Sequence, residues 1–449
     1  MLTFLHLSDL HFTTSGSGSQ FDLDLKIRRA LLNDLGSNGR TNFDAILVTG
    51  DIAYHGHAEE FARAKEWLEE VRTKTDSTPE ALFVVPGNHD VNQAEVPKKS
   101  SLWDLHQSLR KSMPEQERLD SLEAKLRDPF DFLTALMAYR NFAAEYGCPS
   151  TPHELAWVQV LDTNKKLEDG TSVRFHGLNS ALLSDEEDKK GNLMLSDFQF
   201  RHFDSQPNYV NIVMCHHPHP WLMDGNKGND FFREQAHVVL CGHDHDPRCY
   251  REGKSLRVFA GAVHPNRREQ RWEPCYHVLR ISVNKTNNKG ENRELKVSVE
   301  TRAWRENDKK FLPYVQSNGS NFHEERIELP PWENFESRHP SEADSKLREI
   351  SLPSSSGLPV TKTSTDDAFA AARRKLIIHF FRLGTIARYQ VVISAGVWED
   401  SDDAFDGQAR WARVFDRAER TKKLDALWKA VADKDETLPK EPNPFTTNE

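Results

Sequence analysis

The sequence predicts an α/β fold with a separate helical part at its C-terminal end, on three observations. Apolar strands alternate with amphipathic helices over roughly the first 90 residues, each of those strands runs into a cluster of polar residues, and beyond residue 366 only helical spacing remains. A β-α-β-α-β order favours a parallel sheet with helices packed on it.

Residues 2–7 read as the first strand and run into Ser8-Asp9-Leu10-His11. A Gly/Ser loop at 15–19 follows, then a helix over 22–35 with Leu25, Ala30, Leu31, Leu32 and Leu35 on or near one face. Residues 43–48 form a second buried strand that ends in Thr49-Gly50-Asp51, and residues 58–71 a second helix striped by Phe61, Ala64, Trp67, Leu68 and Val71. The third strand, 81–85, is stopped by Pro86 and Gly87, because proline cannot donate to a ladder and glycine permits a sharp turn. It delivers Asn88, His89 and Asp90: an amide oxygen, an imidazole and a carboxylate in consecutive positions. Loops at the C-terminal ends of buried strands are where α/β proteins place reactive groups.

Residues 92–147 break the rhythm and read as a helical insertion of three charged helices, 101–111, 114–127 and 130–146, with a solvated face. Strands resume at 155–161 and 172–178, with a short helix at 197–203. Residues 210–215 lead into His216-His217-Pro218, and 236–240 into Cys241-Gly242-His243-Asp244-His245. Strands at 276–283 and 295–304 close a first domain, 1–308. Residues 309–365, rich in Pro, Ser and mixed charge, read as a partly disordered linker. Residues 366–449 read as a small all-α domain with helices at 368–382, 385–395, 408–419 and 422–431, in which Trp398, Trp411 and Trp428 fill a core or form a patch for a partner.

A chain of 449 residues accommodates two or three domains. Its net charge of −10 argues against a broad nucleic-acid-coating surface, though a local basic groove stays open. Five cysteines without a C-x-x-C pair fit a reducing compartment. With no signal-like N-terminus and no apolar run long enough to span a bilayer, the expectation is a soluble cytoplasmic protein without a membrane partner.

The strand-end groups together are Asp9, His11, Asp51, Asn88, His89, Asp90, His216, His243 and His245. Asp9 and His11 lie two apart in what reads as extended chain, which would point both side chains the same way, and so do His243 and His245. Imidazole and carboxylate with an amide oxygen suit Mn, Fe or Zn better than Ca, and the absence of cysteine ligands argues against a thiolate zinc site. The set is too large for one ion. Two ions about 3.5–4 Å apart, sharing a carboxylate, would use it and would clamp both oxygens of a phosphoryl displacement. His217 is the alternative to His216, since neighbours at a strand end point to opposite sides. His6 reads as a core histidine, and His55 and His57 as substrate contacts or as the start of a helix. Cys215 and Cys241 read as small buried residues, and Arg267, Arg268 and Arg271 as phosphate contacts or a solvated charge run.

In order and type, Asp9-Leu10-His11, Gly50-Asp51, Gly87-Asn88-His89-Asp90, His216 and Gly242-His243-Asp244-His245 resemble the calcineurin-like metallophosphoesterases. The resemblance implies a layered β-sandwich flanked by helices and two divalent transition-metal ions, Mn foremost. It implies that Asp9, His11 and His245 hold one ion, that Asn88, His216 and His243 hold the other, and that Asp51 bridges them. A hydroxide between the metals would attack the phosphorus of a nucleotide or nucleic-acid phosphodiester. His89 would act on the leaving oxygen as proton donor or charge stabiliser, with Asp90 orienting it. The opening blocks look most like the cyclic-nucleotide phosphodiesterase branch, with the double-strand-break repair nucleases as the alternative and a pseudoenzyme that binds a protein partner as a second class. The segment IARYQVVISAG, with 411–416 and 424–427, looks similar to helical effector-associated adaptor domains of bacterial conflict systems, which implies a protein partner and a role in antiviral defence; an ordinary helical domain packed on the enzyme is the other reading.

Overall fold

The computed structural model describes residues 1–14, 23–37, 42–111, 113–126, 132–149, 155–162, 164–200, 203, 206–264, 273–284, 293–315, 319–331, 364–405, 407–435 and 443–446. Strands β1 (Leu2–Leu7), β2 (Ala45–Thr49) and β3 (Leu82–Val85) pair in parallel, with helices α1 (Leu23–Leu35) and α2 (Ala58–Lys74) between them in sequence. Among the described residues the helices of the insertion are α3 (Ser101–Arg110), α4 (Glu115–Leu126) and α5 (Met137–Glu145). The second sheet follows, with β4 (Trp157–Val160), β5 (Ser172–Gly177), β6 (Tyr209–Met214), helix α6 (Gly225–Gln235), β7 (Val238–Cys241), β8 (Arg248–Glu252) and β9 (Ser255–Phe259). Its order is β4-β5-β6-β7-β9-β8, parallel from β5 through β9. The chain then returns to the first sheet, where β10 (Cys275–Val283) lies antiparallel to β1 and beside β11 (Arg293–Arg305).

The fold is therefore two sheets face to face with helices outside, and aromatic side chains join the layers. Phe4 and Phe83 of the first sheet meet Phe175 of the second at ring separations of 5.6 and 4.6 Å, and Trp157 Nε1 donates to the Val84 carbonyl at 3.1 Å. Such ring pairs contribute roughly 0.5–1.5 kcal/mol each beyond the area they bury.

Two strands lie inside the segment expected to be a linker from 309. β12 (Lys310–Pro313) pairs with the 302–305 end of β11, and β13 (His323–Leu329) with its 293–299 end. The sheet thus extends to residue 329. β13 reads HEERIEL and buries only Ile327 and Leu329, so its charged outer face hides the alternation. The expected helix at 197–203 is a single 3-10 turn, Asp197–Gln199. Helix α6 and the β8–β9 hairpin were not expected. α6 carries two glycines and two phenylalanines in eleven residues, too thin a stripe to register as a helix.

The insertion has an inner face as well as a solvated one. α5 buries Tyr139, Phe142 and Ala143, with Phe142 5.2 Å from Phe61 of α2. On α3, Arg110 donates to both oxygens of Asp185, and His106 Nδ1 lies 3.1 Å from the same carboxylate.

The C-terminal helices are α7 (Ser364–Arg382), α8 (Thr385–Ser394), α9 (Gly407–Arg420) and α10 (Leu424–Ala432). Leu376, Phe380, Val392, Trp411, Phe415, Leu427 and Trp428 form their core, and Ala144 of α5 belongs to it. Trp411 and Trp428 are buried there, while Trp398 is half-buried against Trp411. The helices thus sit directly on the sandwich. Arg374 is buried in the junction and donates to the carbonyls of Glu80, of Leu82 at 2.9 Å and of Tyr146 at 2.8 Å, with its guanidinium 4.2 Å from the Phe83 ring. His379 stands between Glu80 Oε1 at 2.6 Å and Asp435 Oδ2 at 2.8 Å.

Candidate metal centre

The C-terminal ends of β1, β2 and β3 in one sheet and of β6 and β7 in the other meet at one edge of the sandwich. The Asp9 amide donates to the Gly50 carbonyl at 3.0 Å and the His11 amide to that of Asp51 at 3.0 Å, so the chains leaving β1 and β2 remain paired as they turn. The Gly242 amide donates to the His216 carbonyl at 2.9 Å and does the same for the chains leaving β6 and β7.

The chain at these ends is not extended, contrary to expectation. Asp9 (φ 55°), His11 (48°), Asp51 (51°), His243 (70°) and His245 (53°) all occupy the left-handed region. A non-glycine residue there costs about 1–3 kcal/mol and persists only where its surroundings enforce it. Left-handed turns, rather than the alternation of a strand, bring each pair of side chains to one point. Glycine is needed where backbone and side chain approach most closely. A Cβ on Gly87 would lie 2.2 Å from Asp51 Oδ1, and one on Gly50, at φ +89°, would lie 2.6 Å from His216 Nδ1.

Around Asp51 the donor atoms converge. His11 Nε2 is 3.4 Å and His216 Nε2 3.3 Å from Asp51 Oδ2. The opposite nitrogen of each ring is committed to a backbone carbonyl: His11 Nδ1 to that of His264 at 2.9 Å, and His216 Nδ1 to that of Thr49 at 2.6 Å. A carbonyl only accepts, so each Nδ1 carries a proton and each Nε2 is left facing Asp51, where its lone pair can take a cation, either a metal ion or a proton. His216 Nε2 is buried and has no hydrogen-bond partner. To one side, His245 Nε2 is 3.0 Å from Asp9 Oδ1; to the other, His243 Nδ1 is 3.0 Å from Asn88 Oδ1. Donor atoms of a metal shell with bonds of about 2.1 Å stand roughly 3.0–3.4 Å apart, so these spacings fit divalent ions held by nitrogen and oxygen. Asp9, His11 and His245 form one such group, and Asp9, Asp51 and His216 another.

Charge shows the same demand for a cation at this point, which a proton meets when no metal ion is bound. Burial works against the His216 imidazolium, but the Asp51 carboxylate outweighs it and lifts the ring to about 9. Burial likewise works against ionised Asp9, and His245 beside it more than compensates, holding the carboxyl below its ordinary range. Burial and neighbouring His216 push His243 down to about 4.

His89 and Asp90 separate in role. The His89 amide donates to Asp51 Oδ1 at 2.8 Å, its Nδ1 lies 2.8 Å from the Tyr54 carbonyl, and its ring stacks on Tyr54 at 5.0 Å. The expected bond from Asp90 to His89 is absent. Asp90 is fully buried and accepts from the amides of Ile52 (2.9 Å), Ala53 (2.8 Å) and Gly87 (2.8 Å). Those three amides have no ladder partner once the strands end, and a carboxylate is the side chain with oxygen enough for all of them. Tyr54, through its backbone, is the orienter of His89, and a backbone carbonyl leaves no mark on a sequence.

His217 also lies in the centre, with Nε2 3.1 Å from Asn88 Oδ1 and Nδ1 2.8 Å from Ser180 Oγ. His57 caps α2, where buried Glu60 accepts the His55 and His57 amides at 2.8 and 3.2 Å, so these two histidines mark a helix start. His6 is buried with Nε2 2.9 Å from Thr49 Oγ1. Cys215 and Cys241 are buried, and burial pushes the Cys215 thiol up to about 12 and raises that of Cys241 as well, out of the reactive range. Arg267, Arg268 and Arg271 lie outside the described residues.

Residues 2–247 match the family described as calcineurin-like phosphoesterase. No curated protein matches the chain. Among solved structures it is similar to a predicted phosphoesterase from Streptococcus pneumoniae, at 14% identity over 73% of this chain and 97% of that one, with a TM-score of 0.27. It is also similar to vacuolar protein sorting 29 from Cryptosporidium parvum, at 11% identity over 73% and 98% with a TM-score of 0.30. The phosphopantetheinyl hydrolase of Mycobacterium tuberculosis is similar at 13% identity over 58% and 89%, with a TM-score of 0.30.

Proposed function

We propose, from the premise that the chain belongs to the calcineurin-like phosphoesterase family, that it hydrolyses a phosphodiester at the centre built by Asp9, His11, Asp51, Asn88, His216, His243 and His245. The observation that carries this reading is the convergence of two imidazole Nε2 atoms, from His11 and His216, on one oxygen of Asp51. Only a carboxylate has lone pairs enough to serve two cations at once. When bound, two divalent transition-metal ions, manganese foremost, supply a nucleophile at neutral pH and neutralise charge on the phosphoryl oxygens.

The chain's own residues divide the remaining work. Asp9, His11 and His245 would hold one ion, Asn88, His216 and His243 the other, and Asp51 would be shared. The carbonyls of His264 and Thr49 keep His11 and His216 in the tautomer that presents Nε2. His89, with Nδ1 donating to the Tyr54 carbonyl, keeps Nε2 for the leaving oxygen, and as an imidazolium it would give that oxygen its Nε2 proton or stabilise its charge. Asp90 holds the three strand-end amides that fix the position of Asp51 and His89.

The substrate in this reading is a nucleotide or nucleic-acid phosphodiester. The net charge of −10 favours a small ester over the long basic track of a repair nuclease. Residues 366–449 act in the same proposal as a helical unit that docks a protein partner, and the defence role rests on their resemblance alone. In their support, α8 exposes Ile386 (77%) and Ile393 (59%), seven residues apart and so on one helical face. Among the described residues no helix is long and apolar enough to cross a membrane, and all five cysteines are free, which supports a reducing cytoplasmic setting.

The test is hydrolysis of bis-p-nitrophenyl phosphate by the full chain loaded with Mn, Fe or Zn, followed by a panel of cyclic nucleotides, dinucleotides and single- and double-stranded nucleic acids. Turnover that chelation abolishes is expected. Two bound ions with no turnover on any ester would mean a pseudoenzyme.

A further inference from the structure

We infer that His217 and Ser180 form a positioning pair that holds the Asn88 carboxamide oxygen in place for the second ion. The inference rests on the two-ion reading above and concerns residues to which that reading gives no task. Both side chains are buried, His217 at 1% and Ser180 at 0% exposure. Ser180 Oγ accepts the His217 amide at 3.1 Å and lies 2.8 Å from His217 Nδ1. On the other side of the ring, His217 Nε2 is 3.1 Å from Asn88 Oδ1.

The partners set the tautomers. His216 faces a carbonyl through Nδ1, and a carbonyl can only accept, which leaves Nε2 to take a cation. His217 faces a hydroxyl through Nδ1, and a hydroxyl can donate. With the Ser180 proton on Nδ1, the single proton of the neutral ring sits on Nε2 and points at an amide oxygen, which accepts it. His216, His217 and His243 lie close enough together to pass for a ligand trio. On this assignment His217 has no lone pair to offer and is a donor to the shell, not a member of it. Asn88 Oδ1 has two lone pairs: one takes the His217 proton, and the other is aimed by that bond at the space it shares with His243 Nδ1, 3.0 Å away.

The test is titration of the metal-free full-length chain with Mn(II) by calorimetry. His217→Phe keeps the bulk and removes the donor, and His217→Gln restores an N–H at similar reach. The wild type should take two ions. His217→Phe should bind the first as the wild type does and the second roughly 10–100-fold more weakly, the usual loss when an outer partner of a ligand is removed. His217→Gln should recover most of that affinity, and Ser180→Ala, which frees the tautomer, should fall between. If His217→Phe proves unfolded by circular dichroism, Ser180→Ala and His217→Gln carry the test. A wild type with two ions and variants that match it overturns the inference alone. His217→Gln as defective as His217→Phe overturns it in favour of direct ligation. A wild type that saturates at one ion overturns the two-ion reading and this inference with it.

Discussion

Two buried polar clusters flank strand β3, and they are built on opposite rules. At its start, in the junction with the C-terminal helices, the donors of Arg374 and His379 meet acceptors: three carbonyls for the guanidinium, and a carboxylate for each ring nitrogen. At its end, in the candidate metal centre, the Nε2 atoms of His11 and His216 converge on one oxygen of the Asp51 carboxylate, and only a cation, a metal ion or a proton, can sit between them. Burying polar groups without partners is costly; the junction pairs most of its donors with protein acceptors, whereas the candidate centre is complete only with cations. The difference separates structural burial of charge from a site, and it can be broken at either end.

The largest effect is expected at Asp51. In Asp51→Asn an amide N–H can stand where Oδ2 stood, hydrogen-bond the imidazole lone pairs, and turn the centre into something like the junction. Hydrolysis and binding of both ions should be lost, by more than the roughly 10–100-fold that an outer partner is worth, while the metal-free variant melts at or above the wild-type temperature. Thermal unfolding with and without Mn(II) reads both halves, and a destabilised metal-free variant would break the comparison. Next is His89→Ala, which should retain ion binding and lose about 10²–10⁴-fold in kcat. If its metal content fell as far as that of Asp51→Asn, His89 would belong to the shell.

At the junction, Arg374→Ala removes the donor shared by the carbonyls of Glu80, Leu82 and Tyr146. It should destabilise the chain by about 3 kcal/mol in denaturant unfolding with no change in ion stoichiometry. The smallest effect is at Glu80. Burial would raise its carboxyl, but the bond to His379 outweighs burial and holds it at about 2, against an ordinary value of 4.5. A depressed folded value means that the contribution is complete above pH 4.5 and disappears as pH falls toward 2. Glu80→Gln should cost about 1.5 kcal/mol at neutral pH and flatten the acid limb of the stability curve. An unchanged acid limb would show that the junction does not depend on this pair.

The junction also changes how the C-terminal helices are to be tested. A cut near residue 308 removes β12 and β13 and so damages the first sheet; a cut after residue 331 removes the helices and leaves those strands in place. The shorter truncation asks whether hydrolysis survives without the helices, with the Arg374 acceptors left open to water.

The sequence by itself determined the strands and the chemistry at their ends. Leu2–Leu7, Ala45–Thr49 and Leu82–Val85 are legible because a buried strand is largely apolar, and Asp9, Asp51, Asn88, His216, His243 and His245 stand out as candidates because only certain side chains carry the donor atoms a cation needs. The core of the C-terminal helices was legible on the same ground, from the helical spacing of Phe380, Trp411 and Trp428. Charged strands such as His323–Leu329 were not, since one half-buried face leaves too few apolar positions to read. Only the tertiary structure decided that Asp90 serves the backbone, that Tyr54 orients His89, that five site residues turn left-handed and that Arg374 joins the helices to the sandwich. The physical reason is common to all four. Each depends on which backbone carbonyls and amides come within 3 Å after folding, and since nearly every residue carries both groups, no residue type announces the ones that will be used.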